Sequence, residues 1–395
     1  MEKIGLNVKI IITILAVVIS LTIGAKITTA TDEEVPAEGS VSAYIMEADT
    51  GDVLYKKNEN EVLPPASMTK IMTMLLVMEA IEEDAISLQE EVTASEKAAS
   101  MGGSQIFLEE GEQMTVDELL KGVAIASGND ASVALAEHIA GSEEKFVKQM
   151  NEKAKELGLE HTKFQNTTGL PAEDHYTTAK DLAVMSQSLL KHEKILEYTS
   201  VYEDYLRKGT DKEFWLVNTN RLVKHYDGVD GIKTGFTKEA KYNLTATAKK
   251  NDMRVITVLM GAETPKERNK QTAELLDYSF QNFEYHLLGE KGTEIDEIAV
   301  EKGKQKKAGV MLEENAAVVL PKGKNMEEVK EKIILSEKIQ APAEQHTPAG
   351  KIEYYDGEKK IAEQSLVLTE DIDSASWFGL FKRVMAAMTG GMSEK

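Results

Sequence analysis

The sequence predicts an α/β protein whose main sheet is assembled from distant parts of the chain, followed by a smaller β-rich domain. Three observations point there. Strand patterns occur near residues 41–55 and again at 230–260, with a helical block between them. Past about residue 287 the pattern changes to short alternating strands separated by turns. The length, 395 residues, exceeds what one ordinary compact core employs.

Val41, Ala43 and Ile45 alternate with polar neighbours, Asp49-Thr50-Gly51-Asp52 supplies a turn, and Val53-Leu54-Tyr55 continues apolar, which makes a β-hairpin. Pro64-Pro65 then halts the chain, and the run at 71–81, apolar on nearly every side, reads as a buried helix beginning at about Ser67. Thr115-Val116-Asp117-Glu118 matches a capping box, and the helix it opens stops at Ser127-Gly128-Asn129, expected in a loop between helices. Apolar spacing is helical over 131–157 and 178–190, with the turn-rich Asn166-Thr167-Thr168-Gly169-Leu170-Pro171 between them. Strands return at 230–235, 242–248 and 255–260, followed by a helix at about 265–283. The β-rich domain is placed at 289–370, with a strand at 352–357 leading to another at 365–368.

Composition excludes several function classes. Lys and Arg total 46 against 67 Asp and Glu, a net charge of −21, and no basic patch is visible, so nucleic acid is not an expected partner. The absence of cysteine removes disulfide scaffolds, thiolate metal sites and cysteine nucleophiles.

Both ends carry addressing signals. Lys3 and Lys9 precede an apolar run at 10–25, and small residues ending Thr28-Thr29-Ala30 lead into Thr31-Asp32-Glu33-Glu34, the order of a secretory signal. The run is about 16 residues, short of the roughly 20 a spanning helix needs, so cleavage near Ala30 and work outside the cytoplasmic membrane are expected. At 371–395, Trp377, Phe378, Leu380, Phe381, Val384, Met385 and Met388 share one helical arc, with Lys382 and Arg383 outside it. Such a stripe commonly packs on its own domain. The Trp/Phe-rich face and the export signal favour instead a helix lying flat in a membrane interface.

Ser-x-x-Lys occurs three times, at Ser67/Lys70, Ser142/Lys145 and Ser188/Lys191. Only the first opens a buried helix, and only it precedes both Ser127-Gly128-Asn129 and Lys233-Thr234-Gly235. That ordered triplet is the known signature of β-lactamases and penicillin-binding proteins. Isolated, each residue would read as a solvated side chain or a helix cap. The chemistry is arguable independently: residues three apart share a helix face, so Lys70 reaches the Ser67 hydroxyl as its base. Burial and the second cation, Lys233, both favour the neutral amine that a base must be. The backbone N–H at Ser67 and another from the strand carrying Lys233 to Phe236 can meet an oxyanion. Gly235 would let a substrate backbone come close. Lys233 and the Thr234 and Thr237 hydroxyls suit a terminal carboxylate, and Ser127 can relay a proton. His161, His175 and His225 lack metal-ligand spacing, so no metal and no cofactor are expected.

Pro64-Pro65-Ala66-Ser67-Met68-Thr69-Lys70, Ser127-Gly128-Asn129-Asp130 and Asp230-Gly231-Ile232-Lys233-Thr234-Gly235-Phe236-Thr237 closely resemble the serine-type D-Ala-D-Ala carboxypeptidases, the low-molecular-mass penicillin-binding proteins. The resemblance spans roughly 38–285, and the β-rich tail with its terminal amphipathic helix also looks like that family. It implies a β-lactamase/transpeptidase-like fold, an antiparallel sheet between helical layers, with a catalytic domain over 31–288. It implies Ser67 as nucleophile, Lys70 as base, Ser127 and Asn129 in the polar network, Lys233 and Thr234 on the carboxylate, and the Phe236 N–H in the oxyanion hole. It further implies peptidoglycan stem peptides ending in D-Ala-D-Ala as substrate, β-lactams as inhibitors, and attachment at the outer face of the membrane. One departure is that Asn218-Thr219-Asn220 is followed by Arg221, where some relatives carry Arg inside an Asn-Arg-Asn stretch. Two rivals share the motifs: a β-lactamase, against which stands the lack of a Glu-x-x-Leu-Asn pattern, and an inert binding protein, against which stand the intact Ser67, Lys70 and Lys233.

Overall fold

The computed structural model describes residues 37–324 and 326–389; the export segment expected at 1–30 and the chain's end at 390–395 lie outside the described residues. Strands β1 (Ser42–Glu47) and β2 (Val53–Lys57) form the N-terminal hairpin, and β3 (Val229–Thr237), β4 (Lys241–Lys250) and β5 (Met253–Ala262) form a meander. Because β1 pairs antiparallel with β5, the order is β2-β1-β5-β4-β3. The sheet is thus drawn from two distant stretches of chain, and β3 is left at an edge.

Period-two alternation sends β1 side chains to two cores. Tyr44 and Met46 join the larger one, filled by helices α1 (Lys70–Glu82), α2 (Val116–Ala124), α3 (Asn129–Ala140), α4 (Glu143–Glu156) and α5 (Ala179–Leu190). Ala43 and Ile45 join the other, closed by Leu275 and Leu276 of α6 (Pro265–Asn282). Helices therefore cover both faces. α1 is central, with Ile71, Met72, Met74, Leu75, Val77 and Met78 all buried, as a helix apolar on every side requires.

The structure differs from the sequence reading at several joints. A 3₁₀ turn at Ala66–Thr69 carries Ser67, and the α-helix proper starts at Lys70. The helix expected over 131–157 breaks at Gly141, whose φ of 78° suits glycine. Ser142 then caps α4 by accepting the Lys145 N–H, so the second Ser-x-x-Lys is a helix cap. The third lies at the end of α5, where the Lys191 N–H donates to the Ser188 carbonyl. Asn129 is the first residue of α3 rather than part of the loop.

Beyond α6 the chain is β-rich. β6 (Phe283–Gly289) is followed by β7 (Glu294–Glu301), β8 (Lys307–Leu312), β9 (Ala316–Pro321), β10 (Val329–Leu335), β11 (Ile339–Gln340), β12 (Pro348–Asp356) and β13 (Lys359–Leu368). β6 pairs with β9, and the others make a sheet of order β10-β12-β13-β8-β7-β11. Helix α7 (Trp377–Thr389) follows. Among the described residues no helix is long and apolar enough to cross a membrane.

Since α1 continues directly from the turn that carries Ser67, its packing should be felt throughout this half of the chain. Leu75→Ala deletes a fully buried side chain and is expected to lower the unfolding free energy by about 2–5 kcal/mol, read from urea denaturation. A loss below about 0.5 kcal/mol would contradict this packing.

Candidate active site

Ser67 is half-buried in its 3₁₀ turn, with Ala66 before it held at a left-handed φ of 49°. The turn is fixed from beneath by Thr69, whose hydroxyl meets His175 Nε2 at 2.8 Å. His175 Nδ1 accepts the Gln165 N–H at 3.1 Å, so Nε2 carries the ring proton; burial pushes this imidazole down to about 4. His175 is therefore a structural clamp.

Lys70 lies one turn further on and is wholly buried. Its Nζ sits 3.2 Å from Ser67 Oγ, 2.6 Å from Asn129 Oδ1 and 2.7 Å from the Thr168 carbonyl. Burial, and then the charge of Lys233, push the amine well below its ordinary value, while Asp130 opposes them. A neutral amine has two protons and one lone pair. The amide and carbonyl oxygens can only accept those protons, which leaves the lone pair for the Ser67 O–H.

The second motif enters from the α2–α3 connection. Ser127 stands at a left-handed φ of 63°, and its Oγ is buried without a partner among the described groups. Asn129 donates its Nδ2 to the Gly102 carbonyl at 2.7 Å while its Oδ1 faces Lys70.

The third motif lies on the edge strand β3, beside the Ser67 turn. Lys233 is buried, and burial followed by the Arg268 charge pushes it down to about 7. Thr234 donates to the Thr219 hydroxyl at 2.8 Å. Thr237 Oγ1 accepts the Ala240 N–H at 2.9 Å, which leaves its own proton free to donate. Phe236 is exposed and stacks on Tyr242 at 4.3 Å. Gly235 permits a close approach, but to the Ser67 turn: a Cβ there would stand 2.8 Å from the Pro65 carbonyl oxygen and 3.3 Å from Ala66 Cβ. A cleft of about 590 Å³ continues from this corner, lined by Leu63, Pro64, Leu170, Pro171, Glu173 and Glu239 among others.

Ser67, Lys70, Asn129 and, on β3, Lys233 to Thr237 thus converge on one corner. Sequence reasoning missed three contributors. The Thr168 carbonyl is a backbone group; its only signal was the turn-rich Asn166–Pro171 stretch, which Asn166 Oδ1 folds by accepting the Thr168 and Gly169 N–H groups. Gly169, at a φ of 83°, admits that turn against Ala66, where a Cβ would overlap the carbonyl oxygen at 1.7 Å. Arg268, buried in α6, is the cation beside Lys233, whereas Arg221 turns to the Tyr202 hydroxyl and ring.

Residues 28–264 match the pattern of a family described as D-alanyl-D-alanine carboxypeptidase, and residues 283–374 match that of the C-terminal domain of penicillin-binding protein 5. The D-alanyl-D-alanine carboxypeptidase DacF of Bacillus subtilis (strain 168) is 53% identical over 353 residues, 89% of this chain and 91% of that protein. Among solved structures, penicillin-binding protein 5 of Haemophilus influenzae is 33% identical with a TM-score of 0.72, covering 85% of this chain and 98% of that one. Cefotaxime-bound penicillin-binding protein D2 of Listeria monocytogenes is 32% identical with a TM-score of 0.56, over 61% of this chain and 97% of that one. On its sequence, its fold and the meeting of its three motifs, the chain belongs to the D-alanyl-D-alanine carboxypeptidase family of penicillin-binding proteins.

Proposed function

We propose that the chain is a serine-type D-Ala-D-Ala carboxypeptidase that removes the terminal D-alanine from peptidoglycan stem peptides through an acyl-enzyme on Ser67. The observation carrying this reading is the buried amine of Lys70, pushed well below its ordinary value by burial and by Lys233, at 3.2 Å from the Ser67 hydroxyl. The Ser67 proton passes to Lys70 Nζ as Oγ attacks the carbonyl carbon of the penultimate D-Ala. The resulting oxyanion takes the backbone N–H groups of Ser67 and Phe236. Collapse breaks the C–N bond, and the proton returns to the departing amine by way of Ser127, whose buried hydroxyl otherwise lacks a partner. Water then repeats the attack on the ester. Lys233 and Thr237 hold the peptide's carboxylate, joined by Thr234 when its hydroxyl turns from Thr219 to donate to it, with Gly235 keeping strand and nucleophile in register.

A β-lactam enters as the same amide but cannot lose its amine, because ring opening leaves it tethered. The cefotaxime-bound neighbour supports this class of ligand. Incubated with benzylpenicillin, the chain should gain one stable adduct on Ser67 by mass spectrometry, and Ser67→Ala should gain none while also losing hydrolysis of N-acylated D-Ala-D-Ala peptides. Rapid turnover of the penicillin would point instead to a β-lactamase.

The two lysines must act in opposite charge states. Lys70 works neutral, so kcat/KM rises with pH as it deprotonates. Lys233 works charged, so kcat/KM falls as pH passes its value of about 7. The expected profile is a bell, and Lys233→Arg, whose guanidinium stays charged, should lose the descending limb. A wild-type profile flat from about pH 6 to about pH 9 would remove this assignment.

Helix α7 is read as a peripheral anchor on the outer face of the cytoplasmic membrane. Trp377 and Phe378 are 77% and 65% exposed, a large aromatic area to leave in water. Arg383, on another side of the helix, donates to the Gly303 carbonyl at 2.7 Å and so joins it to the β-rich domain. Deleting 374–395 is expected to release the exported protein from membranes with peptidase activity intact; continued membrane retention after signal cleavage would refute the anchor.

A further inference from the structure

The base of the proposed reaction is oriented by Asn129, and Asn129 is itself oriented by a loop. Its backbone N–H donates to the Ser104 carbonyl at 2.7 Å, and its Nδ2 to the Gly102 carbonyl at 2.7 Å. Next to it, the Asp130 carboxylate accepts the N–H groups of Ile106 at 3.0 Å and Leu108 at 3.1 Å. Residues 102–109 belong to no helix or strand, so no ladder holds this template in place.

Arg207 holds it from outside, across 95 to 101 residues of sequence. Its Nε and Nη2 form a fork on Glu112, at 2.5 Å to Oε1 and 3.1 Å to Oε2. Nη1 donates to the Ile106 carbonyl at 3.0 Å, and Nη2 also reaches the Phe107 carbonyl at 3.4 Å. The pair is secluded, with side-chain exposures of 11% and 17%. Burial opposes the Glu112 charge, yet the bonds from Arg207 and from the Glu109 N–H outweigh it and hold the carboxyl below its ordinary value. Both residues at this junction have left-handed backbone, Phe107 at a φ of 58° and Arg207 at 53°, a conformation uncommon for side chains of this size. The Phe107 ring is turned outward and meets the edge of Phe214 at 5.5 Å, on the ribbon that includes Leu206.

We infer that Arg207 is a positioning residue for the acyl-transfer reaction: its fork on Glu112 and its bonds to the Ile106 and Phe107 carbonyls fix the loop that orients Asn129, and thereby the amine of Lys70. The inference rests on the acyl-enzyme reading above. A planar guanidinium is needed, because an ammonium cannot serve a bidentate carboxylate and two carbonyls in fixed directions.

The test follows penicillin acylation of Ser67 by time-resolved mass spectrometry in wild type, Arg207→Met, Arg207→Lys and Glu112→Gln, with the melting temperature of each and assays well below it. Arg207→Met is expected to slow the acylation step about ten- to a hundredfold, the scale of a small misplacement of a catalytic group, with the half-saturating penicillin concentration within about twofold. Arg207→Lys should recover more of the melting temperature than of the rate, and Glu112→Gln should fall between. Acylation within about twofold of wild type in folded Arg207→Met overturns the inference. Should that variant not fold, full-rate acylation by both Arg207→Lys and Glu112→Gln overturns it equally. A wild-type chain without a Ser67 adduct overturns the acyl-enzyme reading itself, an outcome distinct from a normal adduct formed at an unchanged rate in the variants.

Discussion

The site depends on an amine kept away from water. Desolvating an ammonium costs several kcal/mol, and among the described residues Lys70, wholly buried, is given no carboxylate of its own to offset that. Asp130 is near, but its oxygens are engaged by the Ile106, Leu108 and Ala131 N–H groups. The partners that Lys70 does have, Asn129 Oδ1, the Thr168 carbonyl and Ser67 Oγ, are all uncharged. They suit the neutral amine as well as the charged one, so burial decides the balance. The same three partners come from three separated segments, which makes the amine's geometry a property of the tertiary fold.

Two glycines let those segments close. β3 approaches the Ser67 turn from one side and the 166–169 turn approaches it from another, and neither leaves room for a Cβ at Gly235 or Gly169. Ala66, between them, is forced into left-handed backbone. The Ser67 hydroxyl is thus oriented by backbone packed on backbone, which relaxes less than side-chain contacts do when a substrate arrives. β3 stands last in the sheet, with no further strand beyond it among the described residues, and at its start the Asp230 and Gly231 carbonyls accept hydrogen bonds from Thr199 Oγ1 and Asn220 Nδ2.

What could be read from the sequence was local. The Ser67–Lys70 pairing follows from helical spacing, the capping box at Thr115–Glu118 from residue type, and the discontinuous sheet from strand patterns at both ends of the helical block. The break at Gly141 was hidden because α3 and α4 keep compatible apolar spacing on either side of it. Thr168 contributes a carbonyl, and a backbone oxygen has no signature in residue type. Arg268 and Arg207 look like any surface arginine until the fold buries one beside Lys233 and clamps the other onto Glu112. Arg221, which the neighbouring motif made conspicuous, turns away to Tyr202.

The cations also explain, on the proposed reading, why such a site would cut only at a chain end. Burial pushes Lys70, Lys233 and Arg268 all below their ordinary values, the charge of Lys233 adds to that on Lys70 and the charge of Arg268 to that on Lys233, so like charge accumulates there under electrostatic strain. A terminal carboxylate relieves that strain where an internal amide, which brings no charge, does not. By linkage, an anion that favours protonated Lys233 is bound together with a proton, and the charge so fixed on Lys233 continues to disfavour one on Lys70. Recognition of the leaving residue and maintenance of the base are then two consequences of a single electrostatic arrangement.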